Sequence, residues 1–274
     1  MIHRIKKTLL NLLHPCIGQV WCLHRVVEVR SKYPSNRELE ITPYYLENEI
    51  VRQKEQGYRF VSIDDLLSSK CTVFPKKWIN ISFDDGFRDI YHRAFPIFKK
   101  YGIPFTLYLT TSFPEGKADI WWIQMENGRS IDDFERILKI VYESGKPMAD
   151  EMHRLTQTTP NESLCLDLAL NWDEISEMVD SGLCTVGSHT VSHPGLVRIS
   201  EDSCISELYE SKRIIEDKLG VEVAHFSYPH SMQNERVQRM VFEAGYKSAT
   251  LGYGGIVRKG DNRYCLNRKY IVQS

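Results

Sequence analysis

Short apolar runs alternate along the chain with segments in which apolar residues recur every three or four positions. The short runs predict buried strands, and the longer spacing predicts amphipathic helices. Strands are predicted at 18–26, 59–63, 78–83, 103–111, 183–188, 223–229, 246–251 and 264–272. Helices are predicted at 42–57, 64–68, 94–102, 130–145, 172–182, 202–220 and 234–245. Thr42, Ser130 and Asn171 precede three of these helices as predicted N-caps. The alternation is typical of a parallel sheet covered by helices.

The alternation of strand and helix patterns is interrupted at residues 112–170. They hold one helical pattern, the adjacent Trp121 and Trp122, and a polar stretch around 156–162. We interpret them as an insertion rather than as a separate domain. The predicted organisation is therefore a basic, amphipathic N-terminal segment at 1–17 and one domain at 18–274, with the insertion at about 112–170.

The N-terminal stretch "MIHRIKKTLLNLLHP" is basic and then briefly apolar. Asn11 and His14 interrupt the apolar part, and no small-residue cleavage site follows, so we do not expect a signal peptide. Two interpretations stay open: a packed terminal helix, or an amphipathic helix that touches a membrane surface. No apolar run is long enough to span a bilayer. The expected location is cytoplasmic or peripheral to the cytoplasmic membrane.

Composition narrows the class of protein. Hydrophobic residues make up 42% of the 274 residues and the net charge is −1, which is typical of a globular protein and does not favour nucleic acid as a partner. The seven cysteines include no CxxC pair, so we expect reduced thiols and neither a disulfide framework nor a structural zinc cluster. No protein partner is inferred.

Polar side chains with metal-binding or proton-transfer chemistry follow several predicted strands. These are His24, Asp84, Asp85, His189, His193 and His230. A (β/α) barrel places its chemistry at the carboxyl ends of its strands, and an open doubly wound sheet uses a switch point at the same edge. The chain contains no GxGxxG or Walker sequence, so nucleotide-binding versions of the open sheet have no support.

Two short stretches carry the strongest chemical signal. "ISFDDGF" (81–87) places Asp84 and Asp85 after a buried strand, and "SHTVSHP" (188–194) places His189 and His193 four positions apart after another. On a helical turn both imidazoles would point the same way. Taken singly, the first stretch is also typical of a turn and the second of surface histidines. Together they favour a metal site, in which two imidazoles and one carboxylate bind and the second carboxylate takes a proton from water.

The two stretches together resemble the polysaccharide deacetylase family, the NodB-homology domain of carbohydrate esterase family four. Four weaker matches agree with this: "LHRV" (23–26), "WDEISEMVDSG" (172–182), "FSYPHS" (226–231) and "CLNRKYIV" (265–272). The similarity runs from about residue 18 to the end, and residues 112–170 match least. The resemblance implies an α/β fold, a distorted (β/α) barrel of seven or eight strands with a helical insertion.

The resemblance also implies a divalent metal ion, zinc before cobalt or nickel, and hydrolysis of acetyl groups on sugars. By position, Asp84 matches the catalytic base, and Asp85, His189 and His193 match the metal ligands. An acid must then protonate the leaving amine. Many family members carry a C-terminal Leu-x-His for this purpose, and this chain has no histidine after His230.

Three histidines could serve as the acid: His24, His225 and His230. His225 lies in the middle of a predicted strand and is expected in the core, so His230 is the preferred candidate. His230 stands where the family usually has an aromatic residue, and Ser231 where it usually has glycine. The alternative is that His230 only lines the groove.

The expected substrate-binding residues are Tyr228, Pro229, Arg268, His24, Trp121 and Trp122. The tryptophans could form a lid or belong to the core, and Arg268 could orient Asp84, bind substrate or form a surface ion pair. The predicted function is metal-dependent removal of acetyl groups, most simply N-acetyl groups, from an envelope or surface glycan or its precursor. The alternatives are an O-acetyl sugar esterase and a catalytically weakened saccharide-binding protein.

Overall fold

The computed structural model describes residues 16–68, 77–258 and 260–274. Within these residues, seven parallel strands close into a barrel. The described strands are β1 (Cys16–Leu23), β2 (Arg25–Val26), β3 (Glu40–Ile41), β4 (Arg59–Phe60), β5 (Trp78–Phe83), β6 (Phe105–Leu109), β7 (Cys184–Ser188), β8 (His225–Ser227), β9 (Ser248–Gly254), β10 (Val257–Arg258) and β11 (Leu266–Tyr270). Pairing runs from β1 through β5, β6, β7, β8, β9 and β11, and β11 pairs back to β1. The predicted (β/α) barrel is confirmed.

Helices cover the outside of the barrel. They are α1 (Pro34–Glu38), α2 (Pro43–Glu55), α3 (Ile63–Ser68), α4 (Phe95–Tyr101), α5 (Trp121–Gln124), α6 (Ile131–Glu143), α7 (Met148–Thr156), α8 (Glu162–Leu168), α9 (Trp172–Asp180), α10 (Glu201–Leu219) and α11 (Glu235–Glu243). Thr42, Ser130 and Asn171 each accept a hydrogen bond from a backbone N–H in the first turn of α2, α6 and α9. The three predicted N-caps are confirmed, because their oxygens satisfy donors that a helix leaves free.

The strand predicted at 18–26 is interrupted at His24. Arg25 and Val26 leave the barrel and pair with β3, because the Asp89 carboxylate accepts hydrogen bonds from the Val26 N–H and the Arg25 Nε, both at 2.9 Å. The interruption leaves His24 at the carboxyl end of β1, where its side chain reaches the mouth of the barrel.

The strand predicted at 59–63 ends at Phe60. The Ser62 hydroxyl accepts a hydrogen bond from the Asp65 N–H at 3.1 Å, and α3 begins at Ile63. The capping interaction therefore starts the helix at the residue where the strand was predicted to end, and the strand itself stops three residues earlier.

Residues 112–170 contain α5 to α8 and form a second apolar core with the segment around α1. Phe113, Trp121, Trp122 and Phe134 are buried there, and the Tyr33 ring packs 4.7 Å from the Phe134 ring. This second core lies beside the first, which fills the barrel and the space under its helices. The part of the insertion next to the barrel mouth is therefore supported by a packed apolar core.

The predicted N-terminal segment at 1–17 falls outside the described residues except for its last two positions, which belong to β1. Within the described ranges, no helix combines the length and the hydropathy needed to cross a bilayer.

Candidate active site

The two adjacent acids lie at the carboxyl end of β5. Asp85 and Gly86 both have positive φ, 74° and 124°, so the chain turns sharply directly after Asp84. A Cβ at Gly86 would lie 2.7 Å from the Leu109 side chain, so glycine serves both the turn and the close packing there. The Asp84 N–H donates to the Leu23 carbonyl at 3.0 Å, which fixes the start of the turn against β1.

His189 and His193 follow β7 in an irregular loop. Thr190 and His193 have φ values of 72° and 62°, so the helical turn that the spacing suggested does not form. The Glu207 carboxylate on α10 instead accepts hydrogen bonds from the N–H groups of Val191 and Ser192 at 2.7 and 3.0 Å. The loop still brings the two imidazole rings together, with centroids 4.9 Å apart.

Asp85, His189 and His193 converge on one point. Asp85 Oδ1 lies 3.5 Å from Nε2 of His189 and 3.3 Å from Nε2 of His193. The Nδ1 atom of His189 lies 2.7 Å from the Ser227 carbonyl, which can only accept, so Nδ1 carries the proton and Nε2 presents its lone pair. One ligand atom from each residue fits within 4.8 Å of the others, so the triad can hold a metal ion.

The buried surroundings of this triad favour the uncharged form of each residue. Burial, and then the charge of Asp84, raises the pKa of Asp85, and burial lowers the pKa of His189 and of His193. Asp85 Oδ1 accepts no hydrogen bond from the described part of the chain although it is sealed from solvent. A buried carboxylate oxygen without a donor is costly, and a divalent cation on neutral imidazoles and a carboxylate would relieve that cost.

Asp84 has a different environment from its neighbour. Arg268 Nη1 donates to Asp84 Oδ1 at 2.7 Å and Nη2 donates to Oδ2, and the Ser227 hydroxyl donates to Oδ2 at 3.2 Å. Burial alone would raise the pKa of Asp84, but the Arg268 guanidinium and the nearby histidines outweigh burial and hold that pKa well below its usual range. Asp84 is therefore ionised in the folded protein.

Arg268 is 1% exposed, so the alternative of a surface ion pair is wrong. Its Nε donates to the Leu251 carbonyl at 2.6 Å and its Nη1 to the Ser82 hydroxyl at 3.1 Å. These bonds fix the guanidinium plane against Asp84. Cys22, His24 and Asp84 also bring three ligand-type atoms within 4.8 Å of one another. The guanidinium on Asp84 already supplies positive charge at this second cluster, so the first triad is the better metal site.

The three histidines considered as acids occupy two ends of the barrel. His225 is 3% exposed at the start of β8, with Nε2 3.0 Å from Asp64 and Nδ1 2.8 Å from the Ser248 hydroxyl. It lies away from the cavity, as a structural histidine. His24 and His230 both line the cavity beside the two acids.

His24 and His230 differ in the charges around them. Burial lowers the pKa of His24 to about 4, and the Asp84 charge opposes that shift. Burial, followed by the charges of His189 and Arg198, lowers the pKa of His230 to about 3. Asp84 thus favours a proton on His24, whereas the charged groups around His230 disfavour one.

The cavity at the barrel mouth has a volume of about 300 Å³ and is walled by the insertion on one side. Trp121 and Trp122 are 3% and 6% exposed, so they belong to the second core and also form this wall, with the Trp122 ring 5.1 Å from the His193 ring. Tyr228 is 1% exposed and its hydroxyl donates to the Tyr264 carbonyl at 2.8 Å, so little of its ring is open to a sugar. Pro229 is buried and is not among the residues that line the cavity.

Sequence reasoning missed several residues that line the cavity. They are Ser35, Asn36, Leu39, Leu138, Tyr142, Tyr253 and Tyr270. Tyr253 and Tyr270 follow or end strands, which was an available signal. Tyr142 gave no such signal, because it is a helical residue of the insertion that contacts His230 across 88 positions of sequence.

Comparison with known proteins is consistent with this geometry. The profile of a family described as polysaccharide deacetylase matches residues 72–249. The Bacillus subtilis protein YxkH, named as a polysaccharide deacetylase, is 23% identical over 193 residues, which cover 70% of this chain and 51% of that protein. The chain thus spans about half the length of this relative.

Two further proteins are similar over more of their length. A poly-beta-1,6-N-acetyl-D-glucosamine N-deacetylase of Staphylococcus aureus is 22% identical over 248 residues, covering 87% of this chain and 71% of that protein. The solved structure of the Streptococcus pyogenes deacetylase PplD in complex with acetate is 21% identical, with a TM-score of 0.68 and coverage of 93% of this chain and 92% of that one. The latter likeness shows a shared fold.

Proposed function

Because the chain belongs to the polysaccharide deacetylase family, we propose that it hydrolyses acetyl groups, most simply N-acetyl groups, on a saccharide. The observation that carries the proposal is the pairing of a metal-binding triad with an ionised carboxylate from the same two-residue stretch. The similarity to a poly-beta-1,6-N-acetyl-D-glucosamine N-deacetylase favours a β-linked N-acetylglucosamine polymer or its precursor, such as an envelope or surface glycan.

Asp85, His189 and His193 are the proposed metal ligands. Neutral imidazoles and a carboxylate suit zinc, and cobalt or nickel could take its place. When bound there, the cation supplies Lewis acidity that polarises the acetyl carbonyl and acidifies a water molecule. The Ser227 carbonyl accepts a hydrogen bond from Nδ1 of His189 and so orients the ring with Nε2 available for the metal.

Asp84 is the proposed base. Arg268 holds its carboxylate ionised and in one orientation, so that it can accept a proton from the attacking water. Arg268 acts as a positioning residue here, because both of its terminal nitrogens are bound to Asp84 inside the barrel. It is not free to bind substrate.

His24 is the acid that the contacts favour, in place of His230. It lies at the end of β1, one of its ring nitrogens is within 4.8 Å of an Asp84 oxygen, and its Nδ1 has no hydrogen-bond partner within the described residues. The Asp84 charge partly offsets the lowering of the His24 pKa by burial, so a proton that reaches His24 from Asp84 can pass to the leaving nitrogen. The chain lacks the C-terminal Leu-x-His whose histidine serves as the acid in many family members. Because histidines in the cavity could supply that acid, its absence does not favour the alternative of a binding protein without turnover.

Trp121 and Trp122 are proposed to contact the sugar as part of the cavity wall, to which Tyr228 also contributes. Pro229 is proposed to support Tyr228 from its buried position. Contact with the cytoplasmic membrane through residues 1–17 stays a prediction, since most of that segment lies outside the described ranges.

A panel of acetate-release assays tests the proposal. N-acetylglucosamine oligomers and O-acetylated sugars are incubated with the protein, with and without a chelator. We expect acetate from the N-acetylated oligomers, loss of release with chelator, and recovery with zinc. Acetate from O-acetylated sugars alone would favour the esterase alternative, and tight saccharide binding without any release would favour the binding protein.

The histidine roles are tested by two matched variants. His24→Gln is expected to lower kcat by about 10²–10⁴-fold, whereas His230→Gln is expected to lower kcat far less, because it leaves the proton path through His24 intact. The opposite pattern would restore His230 as the acid.

A further inference from the structure

The turn after β8 has an unusual backbone. His230 and Ser231 both have a φ of 56°, a left-handed conformation that side chains rarely adopt, in two successive residues. The Ser231 N–H donates to the Tyr228 carbonyl at 2.9 Å, and the Ser231 hydroxyl accepts from the Gly252 N–H at 2.6 Å. A Cβ at Gly252 would lie 2.8 Å from that hydroxyl. The surrounding contacts therefore hold the turn in place despite its strain.

This turn fixes the His230 ring at the edge of the cavity. The ring centroid lies 4.5 Å from that of His193 and 6.3 Å from that of Trp121. Nδ1 of His230 is hydrogen bonded to the Tyr142 hydroxyl at 3.1 Å. Nε2 of His230 has no hydrogen-bond partner in the described part of the protein. Nδ1 of His230 is thus hydrogen bonded to the insertion, and Nε2 is available to bind a ligand.

Tyr142 is itself held in place. It lies in the last turn of α6, and the Arg198 guanidinium caps this end of the helix, donating to the carbonyls of Val141 at 3.1 Å, Lys146 at 3.0 Å and Tyr142. Arg198 follows the loop that carries His193. The insertion is therefore tied both to the metal-ligand loop and to the His230 ring.

We propose that His230 Nε2, held by Tyr142, recognises a hydroxyl group of the sugar that carries the reacting acetyl group. This inference rests on the proposed function. A sugar hydroxyl can donate or accept, so it satisfies Nε2 in either tautomer of the ring. An unpaired buried polar atom costs about 1–3 kcal/mol, and a ligand hydroxyl recovers that cost. The insertion would then select the substrate, separately from the proton transfers at Asp84 and His24.

The test combines variants with substrates that lack single hydroxyl groups. N-acetylglucosamine oligomers and their monodeoxy analogues are compared on the wild type, His230→Phe and Tyr142→Phe. For one analogue we expect the wild type to lose about tenfold in kcat/KM, which corresponds to about 1.4 kcal/mol. His230→Phe should lose about tenfold on the parent oligomer, mainly through KM, and should not distinguish that analogue. Tyr142→Phe should show a smaller loss of the same kind.

Tyr209→Phe is the matched control, because that exposed tyrosine donates its hydroxyl hydrogen to the Glu243 carbonyl and is not among the residues that line the cavity. Thermal unfolding and metal content are measured for each variant, since His230 packs on a metal ligand. If His230→Phe unfolds or loses metal, His230→Gln replaces it and is expected to weaken the discrimination while binding metal normally.

Equal discrimination among all analogues by the wild type and a folded His230 variant would overturn the inference. The same comparison is run as equilibrium binding of the oligomers to Asp84→Asn, which reports recognition without turnover. A wild type that releases no acetate would contradict the proposed function. Even in that case, the binding assay could support recognition by His230. The supporting result would be that a His230 variant no longer distinguishes the monodeoxy analogue from the parent oligomer.

Discussion

Asp84 and Asp85 are neighbours in sequence but have different surroundings. Asp84 is ionised and accepts two hydrogen bonds from Arg268, whereas Asp85 faces two imidazoles and its Oδ1 lacks a hydrogen-bond donor among the described residues. The positive φ of Asp85 turns the two side chains toward these separate partners. This difference in environment fits the proposal that Asp85 binds a cation and Asp84 takes a proton.

Exchanging each acid for its amide separates the two roles. Asp84→Asn is expected to lower kcat by about 10²–10⁴-fold with the metal retained, because it removes the proton acceptor. Asp85→Asn is expected to weaken metal binding, because it removes the anionic ligand. Metal content and acetate release are measured for both, with the exposed Asp167→Asn as control. Full activity in Asp84→Asn would refute the base assignment.

The ion pair between Arg268 and Asp84 predicts a pH-dependent stability. The pairing holds the folded-state pKa of Asp84 below its unfolded value of about 4, so its stabilisation is present above that pH and is lost as pH falls toward the folded-state pKa. In Arg268→Met a buried carboxylate is left unpaired, which should lower the free energy of unfolding at pH 7 by about 3–5 kcal/mol.

Urea unfolding at several pH values checks this. The difference in unfolding free energy between the wild type and Arg268→Met should narrow as the pH falls: the buried, unpaired carboxylate of the variant becomes protonated above about pH 4, and below about pH 4 the wild type loses the stabilisation of its ion pair. A difference that stays constant with pH would show that the loss comes from packing and not from charge.

At the scale of elements, the insertion supports the loop that carries the acids. The Arg88 N–H donates to the Leu168 carbonyl at 2.7 Å, the Leu170 N–H donates to the Gly86 carbonyl at 2.9 Å, and Phe87 pairs with Ala169. The end of the insertion is thus hydrogen bonded to the turn after Asp85. Loosening the insertion should therefore disturb the site as well as the cavity wall.

Phe134→Ala tests that coupling. Phe134 is fully buried in the second core, so the substitution should lower the free energy of unfolding by about 3–5 kcal/mol and reduce kcat/KM through the displaced wall. Ile131→Ala on the same helix removes a side chain that is 40% exposed and should cost below about 1 kcal/mol. If Phe134→Ala unfolds more easily yet keeps full kcat/KM, the insertion does not support the site.

Sequence patterns predicted the main elements because strand and helix periodicities are local. They failed where long-range contacts decide the outcome: Asp89 draws Arg25 and Val26 out of the barrel, and Glu207 shapes the histidine loop without a helical turn. The proposed metal-binding triad was predictable because each half of it is a short motif. The contact between Tyr142 and His230 was not, because it depends on how the insertion folds back.

At the scale of the whole molecule, barrel closure brings the site together. His24 follows β1, the acids follow β5, His189 and His193 follow β7, and Arg268 lies in β11. These strands are far apart in sequence, and the pairings of β1 with both β5 and β11 place them around one mouth. The fold thus brings the proposed metal ligands, the proposed base and its proposed positioning residue together at one end of the barrel.

The most direct test of this account is a metal titration followed by acetate release. Metal-free protein receives increasing zinc, and the rate of acetate release from N-acetylglucosamine oligomers is plotted against bound zinc per chain. We expect a linear rise that ends at one zinc per chain, and Asp85→Asn should bind less zinc and stay inactive. Full acetate release from metal-free protein, or full activity in Asp85→Asn, would contradict the account.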